Sequence, residues 1–363
     1  MEKKNQVPKY PPLRFPEFTD EWKEVKLGEA CPNIQSGKDQ KEEGKIPLYG
    51  ASKQLAYTRS ASYSPPLILI GRVGESVGKL QWINIPCGVS DNALVIQGKE
   101  LLKNTDMRYL LYCLTNSPFE RYAGGSGQKV LAASHLKNIF IALPTLAEQK
   151  KIAALLSLID ERIEVQNAII KEQEAQKAAL LRRLFDRSLR FPEFTDEWKK
   201  VKLGEVVICY SSTMTEGELQ KEGGIPIYGA AGCCGYADVD EPFLESILII
   251  KDGSGVGRSQ YVTGPHYFLG TLNSLRTTSP TIYQKFVFYL LEQLNLKKYV
   301  CGSGIPHIYF SDYSKASCFL PSLAEQKKIA ALLSAIDERL DVERAYAEQL
   351  KQQKAYLLRQ MFI

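Results

Sequence analysis

The sequence LAEQKKIAALLS occurs at residues 146–157 and again, letter for letter, at residues 323–334. Thr145 and Ser322 stand directly before the two copies, and each follows a proline. Serine and threonine are favoured N-cap residues, and a glutamate three positions later completes the pattern of a capping box. The two copies therefore predict the starts of two helices.

Both helices are expected to be long and to pair with each other. No proline or glycine interrupts residues 145–187 or 322–363. Apolar residues recur at spacings of four and three, which is typical of a coiled-coil seam. The seam positions are Ile152, Leu156, Ile159 and Ile163 in the first helix, and Ile329, Leu333, Ile336 and Leu340 in the second. We predict antiparallel pairing within the chain; the alternative is that each helix only covers its own domain core.

A second repeated stretch shows that the chain is a tandem duplication. LRFPEFTDEWK opens both units, at residues 13–23 and 189–199. Between each opening and each helix lie short strand patterns, one or two helical patterns and glycine-rich loops, which indicate a small α+β domain. The predicted order is a flexible lead at 1–12, a globular domain at 13–143, a central long helix and linker at 144–188, a second globular domain at 189–320, and a C-terminal long helix at 321–363.

The composition is that of a globular protein and excludes several classes. The 363 residues carry a net charge of +5, with 44% hydrophobic and 24% charged residues. The apolar runs are too short to span a bilayer, and the polar, proline-rich start is unlike a signal peptide. Eight cysteines without a C-x-x-C pair, and only three histidines, argue against a zinc site. We expect a cytoplasmic protein with reduced thiols and no membrane partner.

Motifs of catalysis are incomplete in this sequence. GESVGK at 74–79 has three residues between its glycines instead of the four of a phosphate-binding P-loop, and leucine follows the lysine. SPPL at 64–67 lacks the aromatic residue of the motif found in amino-methyltransferases, and no glycine-rich cofactor loop follows a strand in a β-α-β arrangement. The sequence therefore predicts a protein that is not itself an enzyme. A methyltransferase or nuclease acting alone remains one alternative, and a coiled-coil protein-binding scaffold another.

The glycine-rich loops are the candidate DNA-binding sites. Basic and amide side chains can hold phosphates or pair with base edges, and glycine lets the backbone approach DNA closely. The candidates are Arg72, Lys79, Gln128 and Lys129 in the first domain, and Lys251, Arg258, Ser303 and His307 in the second. The repeated scaffold with divergent domains indicates two modules that do the same kind of work on different targets.

The end of each unit resembles the DNA-specificity subunits of type I restriction–modification systems. A Gly-Ser-Gly loop at 125–127 or 302–304 precedes a strand, then L-P-x-L-A-E-Q-K-K-I-A, then I-D-E-R and an apolar residue. The resemblance extends from Leu13 to the C-terminus, although Gln128 after the first loop is replaced by Ile305 after the second.

This resemblance implies a non-catalytic subunit with two target recognition domains, each reading one half of an asymmetric, bipartite site in double-stranded DNA. The long helices would set the spacer and dock two modification subunits. This chain would hold no cofactor. S-adenosylmethionine, ATP and Mg²⁺ would be bound by the modification subunits and by restriction subunits that translocate and cleave DNA.

Overall fold

The computed structural model describes residues 10–98, 101, 104–124, 129–302 and 304–363. The chain divides into two compact units: unit 1 comprises Met1–Asn167 together with Ala345–Ile363, and unit 2 comprises Ala168–Arg344. Each unit therefore contains one globular segment and a part of each long helix. The domain boundaries given above remain a prediction.

Unit 1 begins with short strands and ends in a long helix. Its elements in chain order are β1 (Lys23–Lys26), α1 (Leu27–Ala30), β2 (Gln35–Ser36), β3 (Ile46–Tyr49), β4 (Gln54–Thr58), β5 (Leu67–Gly71), β6 (Leu80–Ile83), β7 (Gly88–Val89), β8 (Ala93–Gln97), α2 (Met107–Thr115), α3 (Ala133–Lys137), β9 (Phe140–Leu143), the start of α4 (Leu146–Phe185) and the end of α8 (Leu323–Gln360). The strands form a four-stranded sheet in the order β2-β8-β5-β6, a three-stranded sheet β4-β3-β7 and the pair β1-β9.

The apolar sequence of β5 reflects its central position. Successive side chains of a strand point to opposite faces of the sheet. Ile68 and Ile70 enter one buried cluster together with α2, while Leu67 and Leu69 enter another beneath the second sheet. Burial of each such side chain contributes about 1.5–3 kcal/mol. The strand LILI thus separates two small hydrophobic cores.

Unit 2 repeats this order with longer strands. Its elements are the rest of α4, then β10 (Lys199–Lys202), α5 (Leu203–Val206), β11 (Val207–Ser211), β12 (Ile225–Gly229), β13 (Gly232–Ala237), β14 (Phe243–Ile250), β15 (Ser259–Phe268), β16 (Leu272–Thr277), α6 (Gln284–Gln293), α7 (Phe310–Tyr313), β17 (Ser317–Leu320) and most of α8 (Leu323–Gln360). Here β15 is continuous where unit 1 has the separate strands β6 and β7. One six-stranded sheet results, in the order β11-β16-β14-β15-β12-β13, beside the pair β10-β17.

In each predicted capping box, the N-cap hydroxyl makes its hydrogen bond. The predicted bond from the glutamate carboxylate back to the N-cap backbone is wrong. The hydroxyl of Thr145 accepts a hydrogen bond from the Glu148 backbone N–H at 3.4 Å, and Ser322 does the same for Glu325 at 3.5 Å. The two carboxylates bind arginine side chains instead of the N-cap backbone. A guanidinium offers two charge-assisted bonds to a buried carboxylate, and these are stronger than one bond to a backbone amide.

Within each unit the two long helices run antiparallel. In unit 1, Ile152 and Leu156 of α4 pack in one cluster with Leu358 of α8 and with Met361, which follows that helix. Asp160 of α4 contacts Lys354 of α8. In unit 2, Leu181 and Leu184 of α4 pack in one cluster with Ile329 and Leu333 of α8. The predicted fold class, two tandem α+β domains with long paired helices, is confirmed.

Candidate nucleic-acid interface

The glycine-rich loop after β5 has a defined backbone shape. Gly71 N–H donates to Lys79 O and Gly78 N–H donates to Gly71 O, both at 2.9 Å, which closes the loop on itself. Gly78 has φ of +78°, and a Cβ there would lie 2.8 Å from the Phe119 side chain. The glycine is therefore required by the turn and by close packing.

A second segment crosses this loop and completes what we call the loop frame, made in unit 1 of residues 71–79 and 129–131. Gly74 N–H donates to Lys129 O at 2.9 Å, and Leu131 N–H donates to Arg72 O at 2.7 Å. Between these bonds, Val73 and Val130 lie opposite each other as an isolated β-bridge. The frame therefore brings Arg72, Lys79 and Lys129 to one place.

Unit 2 builds the same loop frame from residues 250–258 and 306–308. Gly257 N–H donates to Ile250 O and Gly253 N–H donates to Pro306 O, each at 2.9 Å, and Ile308 N–H donates to Lys251 O at 3.0 Å. Asp252 and His307 form the isolated bridge here. By these matching bonds, Lys251 stands where Arg72 stands in unit 1, and Arg258 where Lys79 stands.

The candidate DNA-binding residues are thus gathered into two places. Arg72, Lys79 and Lys129 belong to the first frame, and Lys251, Arg258 and His307 to the second. Lys79, Lys129 and Arg258 are exposed. Gln128 and Ser303 lie outside the described residues, as does the first Gly-Ser-Gly loop at 125–127. Their roles as DNA contacts stay predictions.

The second frame also contains an acidic residue that was not among the predicted DNA contacts. The carboxylate of Asp252 contacts Nδ1 of His307 within hydrogen-bonding distance. The ring of His307 also lies against that of Tyr309, with centroids 4.2 Å apart. Matching the two glycine loops residue by residue would have revealed this aspartate where unit 1 has a valine.

A salt bridge at the base of each long helix explains why two repeated stretches recur together. Arg14 donates two hydrogen bonds of 2.7 Å to the carboxylate of Glu148, which is fully buried. In unit 2, Arg190 donates two bonds of 2.8 Å to Glu325. The hydrogen bond to Glu148 raises the pKa of the Arg14 guanidinium. We call each arginine–glutamate pair a helix-base clamp, because it joins the opening LRFPEF to the start of a helix.

The glutamine of the repeated LAEQKK sequence also has a structural role. The side chain of Gln149 accepts from Asp106 N–H at 2.8 Å and donates to Asn104 O and Pro144 O, each at 2.9 Å. Gln326 repeats the pattern with Tyr283 N–H at 2.8 Å and Pro321 O at 2.9 Å. These bonds fix each long helix against the segment that leads into α2 or α6.

A tyrosine, an aspartate and a lysine join three helices in each unit. In unit 1, Tyr112 of α2 donates to Asp160 of α4 at 2.7 Å, and Lys354 of α8 lies 2.5 Å from the same carboxylate. Burial raises the pKa of Tyr112 to about 12, so its hydroxyl stays a hydrogen-bond donor. We call this contact the helix junction, since it ties both long helices to the globular segment.

The helix junction of unit 2 has an additional carboxylate. Tyr289 donates to Asp337 at 2.7 Å, and Lys177 lies 2.7 Å from Asp337 and 3.1 Å from Glu292. Burial by itself lowers the pKa of Lys177, but the bond to Asp337 and the charge of Glu292 outweigh it, so that the pKa is raised. The ammonium therefore stays charged in this junction.

The structure places most of the predicted seam residues in the protein interior. Ile152, Leu156 and Ile159 of the first helix are buried, as are Ile329, Leu333 and Leu340 of the second. Ile163 and Ile336 are half-buried. Their assignment to helix pairing along the whole seam stays a prediction.

Two similar α+β units, each with a basic loop frame and each built on paired long helices, define a recognition protein with two reading modules. The family model described as "Type I restriction modification DNA specificity domain" matches residues 19–175 and 195–352. The chain therefore belongs to the family of type I restriction–modification DNA-specificity subunits.

Curated relatives and solved structures agree with this family. The chain is 25% identical over 401 residues to the type I restriction enzyme MjaVIII specificity subunit of Methanocaldococcus jannaschii, covering 95% of this chain and 92% of that protein. Its fold is similar to the S subunit of the type I restriction–modification system from M. genitalium, with a TM-score of 0.72 and 20% identity, covering 98% of this chain and 99% of that one. A chain from a study of complex assembly and conformational transition of the type I system matches with a TM-score of 0.54 and 17% identity, over 96% of this chain and 98% of that chain.

These relatives decide between the alternatives left open by the sequence. They are named as specificity subunits, so the prediction of a non-catalytic recognition subunit is confirmed over an enzyme acting alone and over a protein-binding scaffold. Among the described residues, no helix is long and apolar enough to cross a membrane.

Proposed function

We propose that this chain gives a type I restriction–modification complex its DNA sequence preference, with unit 1 reading one half of a bipartite site and unit 2 the other. In terms of sequence, the target recognition domains are residues 13–143 and 189–320. The observation that carries this proposal is the loop frame, which has the same backbone bonds in both units but different side chains at its centre. Two copies of one reader with different contact residues fit a target with unlike halves.

Some frame residues keep their charge in both units and others change, which fits separate roles in phosphate binding and base recognition. Contacts to phosphates position a protein without reading sequence, whereas contacts to base edges specify it. Arg72 and Lys251 are both basic, and so are Lys79 and Arg258. We assign these two pairs to the phosphate backbone.

The helices at 144–188 and 321–363 would then set the spacer between the half-sites and dock two modification subunits. The modification subunits would bind S-adenosylmethionine, and the restriction subunits would bind ATP and Mg²⁺. The assembled complex would act on double-stranded DNA in the cytoplasm. Support comes from the family and from the relatedness of the fold to a chain studied in complex assembly.

An exchange of one domain tests whether the halves are read separately. Residues 24–142 are replaced by the first domain of another family member, and the methylated motif of the cell is determined by methylome sequencing. We expect one half of the motif to change while the other half and the spacer persist.

The matched control exchanges the corresponding part of the second unit, residues 200–319, and should change the opposite half only. If either exchange alters both halves together, the two units do not read independently and the proposal is wrong.

A further inference from the structure

The two loop frames differ most at the pair of residues that face each other across the frame. Unit 1 places Val73 opposite Val130, and unit 2 places Asp252 opposite His307. The flanking backbone bonds match: Val130 N–H donates to Gly124 O at 2.8 Å, and His307 N–H donates to Cys301 O at 2.9 Å. One backbone thus carries an apolar pair in one unit and a polar pair in the other.

The polar pair is oriented and is also accessible. The side chain of His307 is 24% exposed and that of Asp252 is 33% exposed. The imidazole contacts both the carboxylate of Asp252 and the ring of Tyr309. A ring that already has two fixed contacts loses little conformational freedom when it contacts a ligand, and partial exposure leaves it within reach of one.

The carboxylate determines which ring nitrogen carries the proton. An ionised carboxylate only accepts hydrogen bonds, so Nδ1 of His307 must be the nitrogen that donates to Asp252. In the neutral imidazole, Nε2 is then a hydrogen-bond acceptor. Adenine N6 and cytosine N4 present donors in the major groove, and either can pair with such an acceptor.

We propose that His307 contacts a base edge in the half-site read by unit 2, and that Asp252 is the positioning residue that fixes its tautomer. This inference rests on the function proposed above and names the residues that make the second module different from the first. Val73 and Val130 occupy the corresponding place in unit 1 and have no hydrogen-bonding side chain, so the first half-site is read without this contact.

The test uses the assembled methyltransferase complex containing the full chain. Methylation rates are measured on duplexes in which each base pair of the second half-site is varied in turn. The first variant, Asp252→Val with His307→Val, places in unit 2 the pair that the same backbone already accommodates in unit 1. We expect it to lose about tenfold discrimination at one base pair of the second half-site. Its melting temperature and its preference at the first half-site should match those of the wild type.

Two single variants distinguish the base contact made by His307 from the positioning of its ring by Asp252. His307→Ala should lose discrimination at the same base pair as the double variant, and Asp252→Asn should reduce it at that base pair and nowhere else. The chain has only three histidines, so the ring nitrogens of His307 can be assigned by ¹⁵N NMR of wild type and His307→Ala. Asp252→Asn should shift the proton from Nδ1 towards Nε2, which a purely structural role would not do.

The outcomes distinguish this inference from the proposed function. A wild-type complex without a bipartite preference would overturn the proposed function itself. A bipartite wild type whose Val/Val variant keeps every base preference would overturn the role of His307 alone. Loss of preference at different base pairs in Asp252→Asn and His307→Ala would show that the two residues do not act as a unit.

Discussion

Unit 1 and unit 2 keep some contacts identical and change others, and the division follows the location of the residues. At the helix-base clamps the same arginine and glutamate meet with the same geometry, and at the helix junctions the same tyrosine, aspartate and lysine recur. In the loop frames, by contrast, the backbone bonds and two basic positions are shared, but the side chains that face each other across the frame differ. Residues that hold the scaffold together depend on each other's chemistry, whereas a partly exposed pair on a fixed backbone can change without altering the scaffold.

The helix-base clamps should respond alike to mutation, and this is the largest effect that we expect. Arg14→Met leaves the buried carboxylate of Glu148 without its guanidinium, and Arg190→Met does the same to Glu325. Removing one partner of a buried ion pair costs about 3–5 kcal/mol. Urea denaturation followed by hydrogen exchange of peptides from each unit measures the loss separately.

A surface ion pair on the same helix provides the control. Lys151 pairs with Glu17, and both side chains are nearly half exposed. Lys151→Met should cost less than about 1 kcal/mol. An Arg14→Met variant no less stable than Lys151→Met would mean that the clamp is not what fastens the opening to the helix.

Acid should distinguish the two units, with an effect of intermediate size. His266 of β15 is fully buried; its Nδ1 lies 2.7 Å from Gly264 O, and its Nε2 has no partner among the described residues. Burial lowers the pKa of His266. The unfolded chain therefore binds a proton at a higher pH than the folded one, and stability falls as the pH drops below about 6.5. Unit 2 should lose about 1.4 kcal/mol per pH unit below that value until the folded pKa is reached.

In unit 1 the position that corresponds to His266 is occupied by Cys87. The residue after Cys87, Gly88, pairs with Leu48, just as the residue after His266, Tyr267, pairs with Ile227. Unit 1 should therefore lack this acid sensitivity, and His266→Cys should remove it from unit 2. Peptide-resolved denaturation at pH 7.5, 6.5 and 5.5 provides the measurement. An unchanged slope in His266→Cys would assign the acid sensitivity to another group.

The smallest expected effect distinguishes the two helix junctions. Lys177 contacts two carboxylates, those of Asp337 and Glu292, whereas Lys354 contacts that of Asp160. Both lysines are partly exposed, so solvent weakens the pairs. We expect Lys177→Met to destabilise unit 2 by about 1 kcal/mol and Lys354→Met to destabilise unit 1 by about half as much.

Double-mutant cycles with Asp337→Asn and Asp160→Asn isolate the coupling in each junction. The unit 2 cycle is then repeated with Glu292→Gln. If the two coupling energies become equal, the stronger coupling in unit 2 comes from Glu292. A larger coupling in unit 1 would contradict the expectation.

The sequence was sufficient to predict the scaffold because its signals are local and repeated. Helix starts, the apolar seam and the strands LILI and ILII all follow from spacing along the chain. Local patterns do not predict the helix-base clamps, because Arg14 and Glu148 are far apart in sequence and neither stretch indicates which residue the other contacts. What could have been noticed is that the two stretches recur together.

The loop frames were predicted only in part, for a related reason. The basic residues near the glycines were found by composition, but composition does not reveal which residues face each other. Asp252 was overlooked because an acidic residue is not expected near DNA. Its contact with His307 depends on a backbone crossing between two segments about 55 residues apart.

The division of the chain into units has a consequence for synthesis on the ribosome. Unit 1 includes Ala345–Ile363, where Leu358, Met361 and Phe362 cover Trp22 and Tyr109. Those residues emerge only after all of unit 2 has been made, whereas unit 2 is a single continuous segment. Domains that are complete in sequence can fold as they emerge. The half of the protein that is translated first is therefore the half that finishes folding last, because its core is completed only by residues made after unit 2.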